Sequence, residues 1–288
     1  MKRSLLFWIL AVIFTFSSAV YQRMTGPTHP VRGSATLGGG EVRWKLDRSH
    51  GGAGDQPVRV FVRHATTEGS LFYKRYKTDD EWTRVRMVRK GDTLYAMLPH
   101  QPPAGKLEYA VELHAGQSFL RIPETESIVT RFKGHVPNGY LFPHVIVMFL
   151  AMLFSMRAGL EALRREAQLR KLVLWTTILI TVGGMILGPI VQKFAFGAFW
   201  TGFPFGTDLT DNKTLLAFIA WIVALTVVIL AGIKPAMQRW LVLAASIITL
   251  AVYLIPHSMM GSELNYRELD KLQMREAPLE RGTAPEIL

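Results

Sequence analysis

Hydrophobic and polar positions follow two different rhythms along this chain, and the change between them divides it. From Tyr140 to His257 the apolar residues come in long runs, 140–156, 172–191, 215–233 and 240–257, separated by short polar connections. Each run is close to the ~17–25 residues that cross a hydrocarbon core as a helix, and none carries Asp, Glu, Lys or Arg in its interior as delimited here. The pattern predicts four membrane-crossing helices in that stretch.

A fifth apolar run lies at the start. Met1, Lys2 and Arg3 precede apolar residues 5–16, and Ser17-Ser18-Ala19 fits the small-residue site at which a secretory signal is cut. Continued to Tyr21, the same run is long enough to remain as an anchor helix. Residues 1–21 are therefore read as an anchor helix or a signal peptide, and either reading sends the following residues across a membrane.

Residues 22–40 are rich in Pro, Gly, Thr and Ser without an apolar period and read as a linker. From Glu41 the period becomes two. Val58, Val60 and Val62 share one face while Arg59 and Arg63 share the other; Leu107, Tyr109, Val111 and Leu113 oppose Glu108, Glu112 and His114. Strict alternation with one wet face predicts antiparallel strands. Turn residues fall between the runs at Lys90-Gly91-Asp92, Pro102-Pro103-Ala104-Gly105 and Ala115-Gly116. About eight strands are expected, near 41–46, 57–64, 71–76, 82–88, 93–98, 107–114, 117–122 and 127–132, which suits a two-sheet sandwich over 41–133. Pro137 and Gly139 then break the chain before the first helix of the bundle.

Charge orients these elements. Arg157, Arg164, Arg165, Arg170 and Lys171 crowd one connection, and Lys234 to Arg239 form another, whereas 194–213 holds Lys213 beside Asp208 and Asp211. An excess of Lys and Arg marks cytoplasmic loops. The expected arrangement is N-terminus inside, sandwich outside, four further crossings over 140–257, and the tail 258–288 outside, in a bacterial inner membrane. The tail carries six acidic and four basic residues; 263–274 fits a short amphipathic helix, and Pro278, Gly282 and Pro285 argue for disorder beyond it.

With 49% hydrophobic and 19% charged residues, the composition agrees with a membrane part joined to a water-facing part. Net charge is +11, for which anionic headgroups are a sufficient partner, so no nucleic acid is invoked. The chain has no cysteine, which excludes disulfides, thiolate metal sites and a cysteine nucleophile.

The stretch from Trp82 to Tyr109, with Tyr95-Ala96-Met97-Leu98-Pro99 and Gly105-Lys106-Leu107-Glu108-Tyr109, resembles the later strands of immunoglobulin-like or fibronectin type III modules. The resemblance implies a binding or spacer role more than catalysis, on a fold that hosts many functions. The whole architecture resembles bacterial inner-membrane proteins that join a periplasmic immunoglobulin-like domain to a four-helix membrane bundle. Outward arginines at 59, 63, 84, 86 and 89 could form a basic face for headgroups or an acidic partner, or simply a solvated sheet face.

Candidate chemistry gathers at one depth. His144 opens the second crossing and His257 closes the fifth, each after a proline. Between them lie the aromatic loop 199–206 and the run Asp208-Leu209-Thr210-Asp211-Asn212-Lys213, and Glu263 follows in the tail. Four readings compete for this rim. Asp208 or Thr210 could cap the fourth crossing, with Asp211 in its first turn and the aromatics as an interfacial belt. His144 and His257 could be axial ligands of haem b, or face a quinone, with Trp200 and Phe203 walling the ring. His144, His257, Asp208, Asp211 and Glu263 could hold zinc, manganese or iron, with copper as a variant because Met148, Met152 and Met156 follow His144 at helical spacing and Met259 and Met260 follow His257. Hydrolytic or transferase chemistry would need a histidine base beside a carboxylate, but no nucleophile elbow, HExxH or phosphate-cradling glycine loop is present, so no catalytic residue is assigned.

The function expected from sequence is an accessory, anchoring or assembly component of an envelope or respiratory complex. Its partners would be the lipid bilayer and other membrane or periplasmic proteins, bound through the sandwich and the tail.

Overall fold

A computed structural model describes residues 2–256 and 263–276. The chain starts as helix α1, Lys2–Thr25. Strands β1 (Val31–Leu37), β2 (Gly40–Leu46), β3 (Ser49–Gly51), β4 (Gln56–Val62) and β5 (Glu68–Arg75) follow, then β6 (Thr83–Arg86), β7 (Val88–Lys90), β8 (Thr93–Leu98), β9 (Lys106–Ala115), β10 (Ser118–Ile122) and β11 (Ile128–Lys133). The remaining helices are α2 (Asn138–Ala162), α3 (Arg170–Ile180), α4 (Gly188–Phe196), α5 (Leu209–Ile229), α6 (Pro235–Leu254) and α7 (Tyr266–Glu276), with a π-helical segment, Thr181–Leu187, joining α3 to α4.

The strands form two sheets, ordered β1-β2-β4-β8-β7 and β3-β11-β9-β5-β6, with β10 paired to β9. The alternation visible in the sequence supplies the core between them. Val42, Val58, Val60, Val62, Leu94 and Leu98 from the first sheet meet Leu71, Leu107, Tyr109, Val111, Leu113 and Phe132 from the second. Tyr109 is fully buried and donates its hydroxyl to the Asp47 carbonyl at 2.8 Å, so its polar end is satisfied inside the core.

Three sequence expectations change here. The stretch read as a linker contains the end of α1 and all of β1, which pairs with β2 through the turn at Gly38 and Gly39. Its inward positions alternate as Val31, Gly33, Ala35 and Leu37, but the two in the middle are too small for apolar periodicity to register the strand. The run expected at 82–88 is two strands in different sheets, because the chain crosses between sheets at buried Met87, whose N–H donates to the Gly69 carbonyl at 2.8 Å. The arginines do not form one face either. Arg59 lies on β4 and Arg84 and Arg86 on β6, in opposite sheets. Arg89 turns to the carbonyls of Val62, His64, Thr67 and Gly91.

Among the described residues, five helices are long and apolar enough to cross a membrane: α1, α2, the continuous unit 170–196, α5 and α6. Small residues let them approach. A Cβ on Gly159 would lie 2.3 Å from Ser246 Oγ, and one on Gly183 would lie 2.7 Å from Met148 Sδ. Trp221 of α5 is fully buried and donates its indole N–H to Thr249 Oγ1 of α6 at 2.7 Å. Met152 and Met156 are buried with Ala11 of α1, as packing. The helices outrun the apolar segments that signalled them. As a result α2 carries Arg157 and Glu161, paired at 2.8 Å and nearly inaccessible, and α5 carries Asp211 and Lys213.

The sheets and the bundle are joined at one end. Gly134 N–H donates to the Ala195 carbonyl at 3.0 Å, and a Cβ on Gly134 would come within 2.2 Å of the Phe194 carbonyl oxygen. Glycine is what lets the chain leave β11 against the end of α4. The guanidinium of Arg131 lies 5.3 Å from the Phe196 ring centre. After α6 the chain returns to the sheets. Leu264 N–H donates to Ala104 O at 3.2 Å, and Tyr266 accepts the Lys106 N–H at 2.9 Å.

Candidate functional site

Where the sheets meet the bundle, a cavity of about 500 Å3 opens between α1, α2, α4, α5 and α6, roofed by Lys133 and Val136. This volume lies in the range of roughly 300–1,000 Å3 typical of small-molecule sites. The wall is apolar at depth, with Val145, Met148, Phe149, Met152 and Val252, and polar near the sheets, with Gln22, His144, Gln192, Asp208, Asp211 and Lys213.

The helices place these groups for identifiable reasons. His144 stands one turn into α2, and its Nδ1 lies 3.0 Å from the Gly183 carbonyl. A carbonyl can only accept, so Nδ1 carries the proton and Nε2 is the basic nitrogen of the neutral ring. That carbonyl is the one reached by the Gly188 N–H, five residues on, at the end of the π-helical segment. The irregular turn and the histidine are therefore parts of one arrangement.

Asp208 is the N-cap of α5, accepting from the N–H of Thr210 at 2.7 Å and of Asp211 at 3.2 Å. Asp211, in the first turn, collects the loop before the helix. Its Oδ2 accepts from the Thr201 N–H at 2.6 Å, the Gly202 N–H at 2.9 Å, Gln192 Nε2 at 3.0 Å and Thr201 Oγ1 at 3.3 Å. Asn212 Oδ1 adds a bond from the Phe203 N–H at 2.6 Å. A Cβ on Gly202 would lie 2.5 Å from Asp211 Cβ, so glycine is needed at this crossing. The capping reading thus describes Asp208, while Asp211, in the first turn, fastens the aromatic loop to α5.

The other cavity groups fasten helices to each other. Lys213 is 5% exposed and donates Nζ to the Ile255 carbonyl at 2.5 Å. Gln22 donates to the carbonyls of Tyr253 and Ile255 at 2.8 and 3.3 Å, and Tyr253 donates to the Met148 carbonyl at 2.7 Å. Lys133 differs. Half-buried at the end of β11, where its carbonyl accepts the Gly52 N–H at 3.3 Å, it has no hydrogen-bond or ion-pair partner for its ammonium group among the described residues. Its ammonium pKa is pushed down, first by burial and then by the neighbouring charges of Arg131 and Arg23.

The structure thus brings together four of the residues singled out from sequence: His144, Trp200, Asp208 and Asp211. It places two elsewhere. Phe203 is 69% exposed and walls no cavity, because Trp200 turns its indole N–H onto the Phe203 carbonyl at 3.0 Å while the Phe203 ring points out. Glu263 leaves the rim for the sheets, where it meets Lys106 at 2.6 Å and Lys77 at 2.9 Å. His257, Met259 and Met260, on which the paired-histidine and copper readings depend, lie outside the described residues. Among the described residues no three His, Asp or Glu side chains cluster as ligands for a metal ion.

Sequence reasoning missed Lys133, Gln192 and Gln22. Gln192 is the polar residue that directly follows the apolar run 172–191, a position the sequence marks only as the end of that run. Lys133 carried no signal, because it reads as the last residue of a strand.

What fold and site define together is a class: a two-sheet β module fixed to a bundle of long apolar helices, with an amphipathic cavity at the joint. No protein-family model and no curated protein matches the sequence.

Proposed function

We propose that this chain is an integral protein of a bacterial inner membrane whose five apolar helices anchor and orient an immunoglobulin-like sandwich in the periplasm. It would serve as an accessory, anchoring or assembly component of an envelope or respiratory complex. The strand orders β2-β4-β8-β7 and β5-β9-β11 follow the pattern of immunoglobulin-type sandwiches, which favours a binding module over an enzyme. The observation that carries the reading is the joint: the Gly134 N–H bonds the Ala195 carbonyl of the bundle, and Leu264, beyond α6, bonds Ala104 of the sandwich. A mere tether would need neither.

In this reading α1 is a retained anchor. Ala11, Thr15 and Ser18 are buried in the bundle and Trp8 packs edge-on against Phe154 at 5.4 Å, contacts that cleavage after residue 19 would remove. Among the described residues the partner surface narrows to the sandwich, since Glu263, Arg267 and Asp270 of the tail are already engaged with Lys106, Asp79 and Arg75. Cross-linking of the tagged full-length protein in native membranes should yield a stoichiometric protein partner, weakened by Arg59→Glu or Arg84→Glu. A chain that cross-links only to itself or to nothing would refute the accessory role.

A second reading, a haem b or quinone subunit, is favoured by one observation: His144 lines the cavity with Nε2 left basic. An absorption band in the Soret region, lost in His144→Ala, would support it; a colourless preparation without quinone would remove it.

A further inference from the structure

The cavity extends along α2 from Leu141 to Met152, twelve residues and so about 16 Å of helix rise. About 500 Å3 drawn out over that length makes a narrow slot. The deep wall is hydrocarbon-like. Val145 and Phe149 belong both to that wall and to the exposed surface of the helices, so the cavity communicates sideways with whatever surrounds the bundle.

At the upper end the charges are uneven in availability. Asp208 and Asp211 accept backbone N–H groups of their own loop and helix, and Lys213 is committed to a carbonyl. Lys133 is held half-buried near Arg131 and the exposed Arg23; the carboxylates of Asp208 and Glu263 act on Arg131, and none acts on Lys133 among the described residues. Burying a cation among like charges is unfavourable unless an anion joins it. Such an anion would be at home above a narrow apolar slot only if it carried a hydrocarbon chain.

We propose that the cavity holds an anionic phospholipid, with its phosphate at Lys133 and one acyl chain running past Val145, Met148, Phe149 and Met152. The lipid would act as mortar at the joint, filling the space between bundle and sandwich and neutralising Lys133. This inference rests on the membrane placement proposed above.

The test uses the full-length protein in detergent, exchanged with an equimolar mixture of phosphatidylglycerol and phosphatidylcholine, the bound lipid being counted by native mass spectrometry. The wild type should retain phosphatidylglycerol preferentially, at about one per chain. Lys133→Gln should reduce that preference about tenfold, the loss expected when a charge-assisted hydrogen bond to phosphate is removed. Lys90→Gln, on the edge strand β7, should leave it unchanged, which controls for net charge. Equal retention of the two lipids, or equal retention by wild type and Lys133→Gln, overturns the proposal. Inorganic phosphate displacing phosphatidylglycerol at low millimolar concentration would make this a free-anion site, and a bound fraction dominated by quinone would make it a quinone site; either result also overturns it. A chain that stays soluble and monomeric without detergent would sink the membrane placement instead, an outcome distinct from a failed lipid preference.

Discussion

Lys106 and Glu263, 157 positions apart in the chain, meet at 2.6 Å and close the protein into a loop whose two ends are the first residue of β9 and the segment after α6. Lys77 binds the other carboxylate oxygen at 2.9 Å, and Tyr266, beneath, exchanges hydrogen bonds with the Lys106 backbone. Gly105 leaves the space for that phenol, since a Cβ there would lie 2.9 Å from its oxygen. Glu263→Gln weakens two charge-assisted bonds at a carboxylate 31% exposed, so after discounting for solvent the docking of α7 should lose about 1 kcal/mol. Hydrogen exchange over α7 should then rise roughly fivefold with the bundle unchanged. Unchanged exchange would mean that Tyr266 and Arg75 hold the segment alone.

The same contact should respond to acid. Burial alone would raise the Glu263 pKa, but the hydrogen bonds and charges of Lys106 and Lys77 outweigh it and hold the carboxyl below its ordinary value of 4.5. A carboxyl depressed in the folded state stabilises fully above the unfolded pKa, and the contribution fades as pH falls through the folded one. Protection of α7 should therefore be flat from neutrality to about pH 5 and fall below 4.5, whereas Glu263→Gln should lack the Glu263 part of that fall. Superimposable profiles for the two proteins would show that another acid governs the contact.

The extent to which the sequence announces this fold depends on how each element buries itself. Long helices and alternating strands are legible because one hydrophobic period repeats many times, as from Leu107 to Leu113 or across 215–229. β1 is illegible because only Val31 and Leu37, at its two ends, are large on the inward side, with Gly33 and Ala35 between them, and the strand is held by pairing with β2. Asp208 was readable as a cap because the chemistry of a helix start is local. Lys133, Gln22 and Glu263 were not, since what matters about each is a partner, or a missing partner, far away in the chain. His144 was noticed for its proline neighbour, yet its role depends on the π-helical turn at 181–187, which no periodicity reveals.

Asp211 and Asp208 are both carboxylates at the start of α5, but they support different things. Asp208→Ala removes an N-cap and should cost about 1 kcal/mol. Asp211→Ala leaves the N–H groups of Thr201 and Gly202 without their acceptor at a residue only 4% exposed, and should cost about 3 kcal/mol. Thermal unfolding in one detergent should rank wild type above Asp208→Ala above Asp211→Ala. The reverse order would show that the loop, and not the helix start, is dispensable.

At the other end of the bundle Arg157 and Glu161 pair within α2 at 2.8 Å, with side chains 6% and 3% exposed. Arg157 also reaches Ser4 and lies 5.5 Å from the ring centres of Phe7 and Trp8, so it ties α1 to α2. Removing one partner of a buried pair costs far more than removing both. Glu161→Gln should destabilise by about 3 kcal/mol, while Arg157→Met with Glu161→Leu should restore most of the loss. If the double variant is the least stable of the three, the pair contributes net stability and does not merely avoid a buried charge.

The absence of cysteine makes orientation directly measurable, because a single introduced thiol is the only one in the chain. Phe205, 82% exposed in the loop tied down by Asp211, shares its end of the bundle with the sheets, since Gly134 bonds Ala195 just before that loop. Arg165 stands in the connection between α2 and α3, at the opposite end. With five crossings and the basic connections inside, Phe205→Cys should react with an impermeant maleimide on spheroplasts, and Arg165→Cys only after the membrane is opened. Labelling of both from outside would break the topology on which the anchoring role depends. Labelling of Arg165→Cys alone would invert it, placing the sandwich in the cytosol.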